Sequence, residues 1–160
     1  MEDFTVEINK ETHRELGRTL HGEVWSLLEK ADRTPEDSRR MIHAAHASHY
    51  HWLHAGAKVN EQRGEWLLTR VYAVLGLGEA SLRHSERCRD ITGQHGDEMK
   101  DFDLAFSSEG LARAYAALGR TAEAKEHKAE ARKLGDVIAD KEDKEIFVTE
   151  LSGGEWHGVD

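Results

Sequence analysis

Cysteine is almost missing from this chain. Cys88 stands alone among 160 residues, so no internal disulfide forms, and a lone thiol suits a reducing compartment. The expected location is the cytoplasm. Proline is as scarce, with Pro35 the single case, and helices without proline run uninterrupted. No apolar run approaches the ~20 residues of a membrane span. The opening MEDFTVEINK holds acids where a secretory leader has an apolar core. Basic residues are outnumbered, 22 Lys and Arg facing 31 Asp and Glu, for a formal charge of −9. A broad nucleic-acid surface needs the opposite balance, so neither nucleic acid nor membrane is an expected partner. Catalytic signatures are missing as well. There is no HExxH, no cysteine pair and no glycine-rich phosphate loop, since Gly76-Leu77-Gly78 reads as a helix–helix turn. Cys88 lacks an activating motif and reads as a buried, inert thiol.

What is present is helical periodicity. Charged residues make up 33% and apolar ones 38%, a balance that suits one well-solvated helical domain. Residues 1 to 9 alternate Phe4, Val6 and Ile8 with polar residues. One strand alone builds no sheet, so an extended arm lying on the helices is expected. From about Lys10 to Lys30, Leu16, Leu20, Val24 and Leu27 share a face with His13, while Trp25 points elsewhere. Thr34-Pro35-Glu36-Asp37 starts the second helix: Thr34 caps, Pro35 suits the first turn, and the acids favour the positive end. That helix runs to about Ala57. A third covers about Asn60 to Leu75, a fourth Glu79 to Thr92, a fifth Glu98 to Leu118 and a sixth Thr121 to Ala139. The last, about Lys141 to Leu151, carries Ile146, Phe147 and Leu151 and caps the open end. The glycine-rich end, residues 152–160, reads as a flexible tail with Trp156 as its docking residue.

The chain also repeats itself. In EWLLTRVYAVLGLGEASLRHSERC, Tyr72, Leu75 and Gly76 match Tyr115, Leu118 and Gly119 of EGLARAYAALGRTAEAKEHKAEARKL. Ser81, Ser85 and Cys88 fall where Ala124, Lys128 and Ala131 fall. Each copy reads as a helix, a glycine stop and a helix running back, with small residues that let two backbones approach. The pattern Thr69, Tyr72, Gly76, Ser81, Ser85 and Cys88, and its partner Ala112, Tyr115, Gly119, Ala124, Lys128 and Ala131, resembles tetratricopeptide (TPR) repeats. The likeness covers roughly half the chain. The two tyrosines lie 43 residues apart, where the family repeat is about 34, and Lys128 takes a place where the family prefers an aromatic. The resemblance implies an all-α fold: about seven helices in antiparallel hairpins, stacked right-handed over residues 1–151.

In such a stack the first helix of each hairpin lines a concave groove. The resemblance places Asn60, Arg63, Trp66 and Arg70 there, with Glu109 and Arg113 from the next hairpin. Arginines beside an aromatic suit an acidic peptide, a carboxylate or a phosphate. The plainer reading is that the arginines pair with surplus acids and Trp66 is core. The leading expectation is a binding module that takes a peptide or partner protein in the groove. Open ends of a short array also favour self-association into a homo-oligomer.

The alternative starts from the second helix, RRMIHAAHASHYHWLHAGAKVN. At about 100° per residue, His43, His46, Tyr50 and His54 form a stripe. No cofactor is expected, but imidazoles at this spacing can chelate a divalent transition metal, and the alternative is a metal-binding protein or metal-dependent enzyme built on this helix. Glu65, Asp101, Asp103, Glu109 and His13 are the candidate ligands from other helices. The plainer reading makes these histidines packing residues bonded to carbonyls or acids. A third reading is a small-ligand pocket between the histidine helix and the Arg63/Arg70 helix.

Overall fold

A computed structural model describes residues 6–160. Among the described residues it is all-helical, with seven α-helices and no strand. They are α1 (Lys10–Glu29), α2 (Pro35–Ala55), α3 (Lys58–Val74), α4 (Gly78–Gln94), α5 (Asp101–Ala117), α6 (Thr121–Asp136) and α7 (Lys141–Ser152). No helix among them is long and apolar enough to cross a membrane. Residues 6–9 form no strand, and Val6 is 82% exposed, so this stretch does not lie on the helices as expected. Phe4 falls outside the described residues.

Local chemistry sets the helix boundaries. The Thr34 hydroxyl accepts from the Asp37 N–H, and the Asp37 carboxylate accepts from the Thr34 N–H. This reciprocal cap fixes the start of α2. Helix α5 begins later than the sequence suggests. Gly96–Glu98 forms a single 3₁₀ turn, and the Asp103 carboxylate then accepts from the Lys100 N–H.

The two sequence copies are built alike. Gly76 and Gly119 both end their helices at φ +72, a left-handed conformation that glycine adopts without penalty. In one hairpin Leu77 N–H donates to the Tyr72 carbonyl and Gly76 N–H to that of Ala73. In the other Arg120 N–H donates to Tyr115 and Gly119 N–H to Ala116. This is the same C-terminal motif twice. Tyr72 stacks on His84 at 5.5 Å and Tyr115 on His127 at 5.4 Å between ring centres. The small residues beneath, Ser81 and Ala124, are fully buried.

Helices α1–α2, α3–α4 and α5–α6 pack as pairs. Neighbouring pairs meet through α2–α3, α4–α5 and α3–α5, and α7 closes on α5 and α6. Two apolar clusters result. One holds Val24, Met41, Ala45, Leu67, Leu68 and Val71, and the other Ala105, Ala112, Ala116, Ala131, Phe147 and Leu151. Phe106 touches both. The first helices of the pairs, with α7, share one side of the molecule. Because α1 and α3 do not pack closely along their backbones, side chains rather than backbone fill the space between them.

Candidate functional site

The groove residues divide into a covered half and an open half. In the covered half, Glu109 and Arg113 sit one turn apart on α5, at 0% and 1% exposure, and pair with each other. The Trp66 indole N–H donates to the other Glu109 oxygen at 2.8 Å. Arg113 also donates to the carbonyls of Glu150 (2.6 Å), Gly153 (3.0 Å) and Glu155 (3.2 Å). Arg70 is buried beside them, with Nε 3.6 Å from a Glu150 oxygen. Burial, then the neighbouring Arg113 charge, holds the Arg70 pKa below its ordinary value.

What covers this half is the chain's own C-terminal segment, expected from its glycines to be a loose tail. Trp156 is 8% exposed and Val159 5%. The Trp156 ring lies between two cations, 4.1 Å from the Arg113 guanidinium and 4.0 Å from the Lys128 ammonium. Lys128 thus meets an aromatic brought from elsewhere in the chain. The His157 ring nitrogen lies 2.7 Å from the Ala73 carbonyl, and Lys128 reaches the Val159 carbonyl at 3.5 Å. Gly154, at φ +74, runs so close to the Arg70 guanidinium that a Cβ there would collide with Nη2.

The open half is a hollow of about 360 Å³ walled by Trp25, Trp66, Phe102 and Phe106, with Ile146 at its edge. Trp25 stacks on Trp66 at 6.0 Å, and Trp66 meets Phe106 edge-on at 4.9 Å. Most of its polar side chains are engaged. The Trp25 indole donates to His21 (2.9 Å), and Arg63 holds Asp103 with two bonds at 2.8 and 3.0 Å while lying 4.9 Å over Phe102. Burial pushes the His21 pKa down, which keeps it an acceptor. Asn60 and Arg63 also line a neighbouring hollow of about 280 Å³ between α1, α2 and α3. Asn60 itself accepts from the Ala57 N–H at the start of α3. Trp25, Phe102 and Phe106 were not picked out as site residues from sequence. Trp25 off the leucine face of α1 was the available signal.

The histidine stripe does not converge. His43, His46, Tyr50 and His54 all reach the surface. His46 bonds the Tyr72 hydroxyl at 2.8 Å and packs edge-on to His84. Tyr50 and His54 belong to a different group, in which His54 stacks on His13 and the His13 and His51 Nδ1 atoms lie 2.8 Å apart. Among the described residues, no group of three or more His, Cys, Asp or Glu is placed to hold a metal ion. The buried carboxylate beside this helix is Glu65, which joins His49 (3.2 Å) and His84 (2.6 Å). Burial pushes its pKa up, but the bonds and charges of His49 and His84 together outweigh that and bring it to about 2. Cys88 is buried, and desolvation pushes its thiol up to about 12, so it stays protonated and unreactive.

These pairs make stability acid-sensitive. Burial and neighbouring imidazoles hold His13 and His46 below the ordinary 6.5. The unfolded chain therefore binds more protons as pH falls through 6.5, and stability declines there. Protonating both His13 and His51 also removes the acceptor of their mutual bond. Glu65 adds a second loss, between its unperturbed 4.5 and about 2. The melting temperature is expected to drop between about pH 7.5 and about pH 5.5. His13→Gln should flatten that slope, and an unchanged slope would remove His13 from this role.

Set against protein-family models, curated proteins and solved structures, the chain matches none of them.

Proposed function

We propose that the chain is a TPR-like binding module that takes a segment of a partner protein in the aromatic hollow on the inner side of its hairpins. The observation that carries this reading is the hollow itself. Four aromatic side chains face a space of about 360 Å³ while their polar atoms are satisfied within the protein. Apolar surface with fixed polar groups suits anchoring of a side chain, whereas a reaction needs groups left free to act. The docked C-terminal segment lends support, since the same side of the molecule already holds a turn-containing segment through its carbonyls and a tryptophan. An acidic partner finds little here, because Arg113 and Arg63 are each committed to an internal carboxylate and Arg70 is buried beside Glu150. The alternative, a metal protein built on His43, His46, Tyr50 and His54, lacks support because those residues part into separate groups.

Peptides selected from a random display library on the wild-type protein test this. Trp25→Ser, checked as folded by circular dichroism, is expected to weaken the selected peptides about tenfold or more, the loss typical of a central aromatic anchor. Tyr50→Ser, on the histidine surface, should leave them unchanged. Selected peptides that bind Trp25→Ser as tightly as wild type would contradict the assignment.

A further inference from the structure

We infer that the smaller hollow between α1, α2 and α3 is a binding site in its own right, for a small organic carboxylate. It is separate from the aromatic hollow and does not rest on the peptide reading.

The hydrogen-bonding groups left over in this hollow of about 280 Å³ are donors. Arg18 and His21 come to it from α1, Trp52 from α2, and Asn60 and Arg63 from α3. Arg63 uses Nε and Nη2 on Asp103, which leaves Nη1. Asn60 uses its carbonyl oxygen on the Ala57 N–H, which leaves the amide N–H pair. His21 accepts the Trp25 indole N–H on Nε2, so its hydrogen sits on Nδ1. The Trp52 indole nitrogen lies against Gly17, where no acceptor takes its N–H. Arg18 is 6.0 Å over the Trp52 ring, and its nearest carboxylate, Glu11, is 3.9 Å away, beyond hydrogen-bond reach. None of these nitrogens is among the buried atoms that lack a partner, so each stays accessible.

Acceptors are used up or closed off. The Ser48 hydroxyl is buried and donates to the Gly17 carbonyl at 2.8 Å. His49 turns Nε2 to Glu65 at 3.2 Å, and its Nδ1 is buried against Gly64. Among the described residues no Asp or Glu lines the hollow. The carboxylates behind it are engaged: Asp103 by Arg63, Glu65 by His49 and His84, and Glu11 by Arg14 at 3.4 Å. The N–H array, rather than the net charge, therefore selects the ligand. An ionised carboxylate accepts on both oxygens and donates nothing, and its bonds to guanidinium are the strong, charge-assisted kind. The Trp52 ring and Leu67 add an apolar wall that suits an organic body behind the carboxylate.

Phenylacetate, its neutral amide phenylacetamide and inorganic phosphate separate these contributions. Binding is followed through the Trp52 indole N–H signal of ¹⁵N-labelled protein at neutral pH. Phenylacetate is expected to shift Trp52 and to bind about five- to tenfold more tightly than the amide, the gain of charged over neutral hydrogen bonds. Phosphate, without an apolar body, should bind more weakly than phenylacetate. Arg18→Gln, an exposed change on α1, should lower the acid-to-amide ratio and leave the melting temperature unchanged. Equal binding of acid and amide, a ratio unmoved by Arg18→Gln, or tighter binding of phosphate would each overturn the carboxylate assignment. A Trp52 signal that phenylacetate leaves in place would remove the site, and none of these results bears on the aromatic hollow.

Discussion

Replacing Glu109 by alanine is expected to lower stability by about 3–5 kcal/mol, the range for a buried charge stripped of its partner. Glu109 and Arg113 are both out of contact with solvent. Without the carboxylate, the Arg113 guanidinium remains buried next to Arg70, and the Trp66 indole N–H loses its acceptor. For a chain of this size the melting temperature should fall by roughly 6–20 °C. Glu109→Gln keeps an acceptor oxygen but removes the charge, and should fall between wild type and Glu109→Ala. Removing both partners together, as in Glu109→Leu/Arg113→Leu, should cost less than the sum of the single changes, because no lone charge is left behind. Additive losses would show that the two side chains do not act as a pair.

Trp156→Ala is the second large effect. The ring is buried between Arg113 and Lys128, and truncation of a buried tryptophan costs about 3 kcal/mol or more. The loss extends beyond the ring. The segment from Gly153 to Val159 brings the carbonyls that satisfy Arg113 and Lys128, and the indole is its main apolar attachment. Hydrogen exchange of α7 should accelerate in Trp156→Ala, because Phe147 and Leu151 belong to the same apolar cluster as Trp156. Trp156→Phe retains an aromatic face for both cations and should lose much less. Unchanged α7 exchange and unchanged stability in Trp156→Ala would mean that the C-terminal segment does not hold this side of the molecule.

Helix order was readable from the residues because each signal is local. A 3.6-residue apolar period, a Thr-Pro start at Thr34 and the glycines Gly76 and Gly119 determine where the chain turns, whatever packs against it. The match of Tyr72 with Tyr115 was readable for the same reason, and both end beside a histidine twelve positions later. The site was harder. The resemblance to TPR repeats implies an inner-side place for Arg70, Glu109 and Arg113, but not that another part of the chain covers them. Composition worked against seeing this, since Ser-Gly-Gly-Glu-Trp-His-Gly-Val-Asp holds few apolar residues and its docking depends on arginine-to-carbonyl bonds. The histidine stripe shows the opposite limit. Four residues on one angular sector of α2 reach different neighbours, because His46 meets α3 and α4 while His54 meets α1. Trp25 lay off the leucine face of α1, and only the gap between α1 and α3 gives it a role.

The chain carries four tryptophans, each in a distinct place. Trp25 and Trp66 wall the open hollow, Trp52 lies in the neighbouring one, and Trp156 anchors the docked C-terminal segment. Their four indole N–H signals, followed while a display-selected peptide is titrated into labelled protein, report on the proposed binding site directly. Shifts at Trp25 and Trp66 with Trp52 and Trp156 unmoved are the predicted result. Shifts confined to Trp52 or Trp156, or absent while the peptide binds, would contradict the placement of the partner in the aromatic hollow.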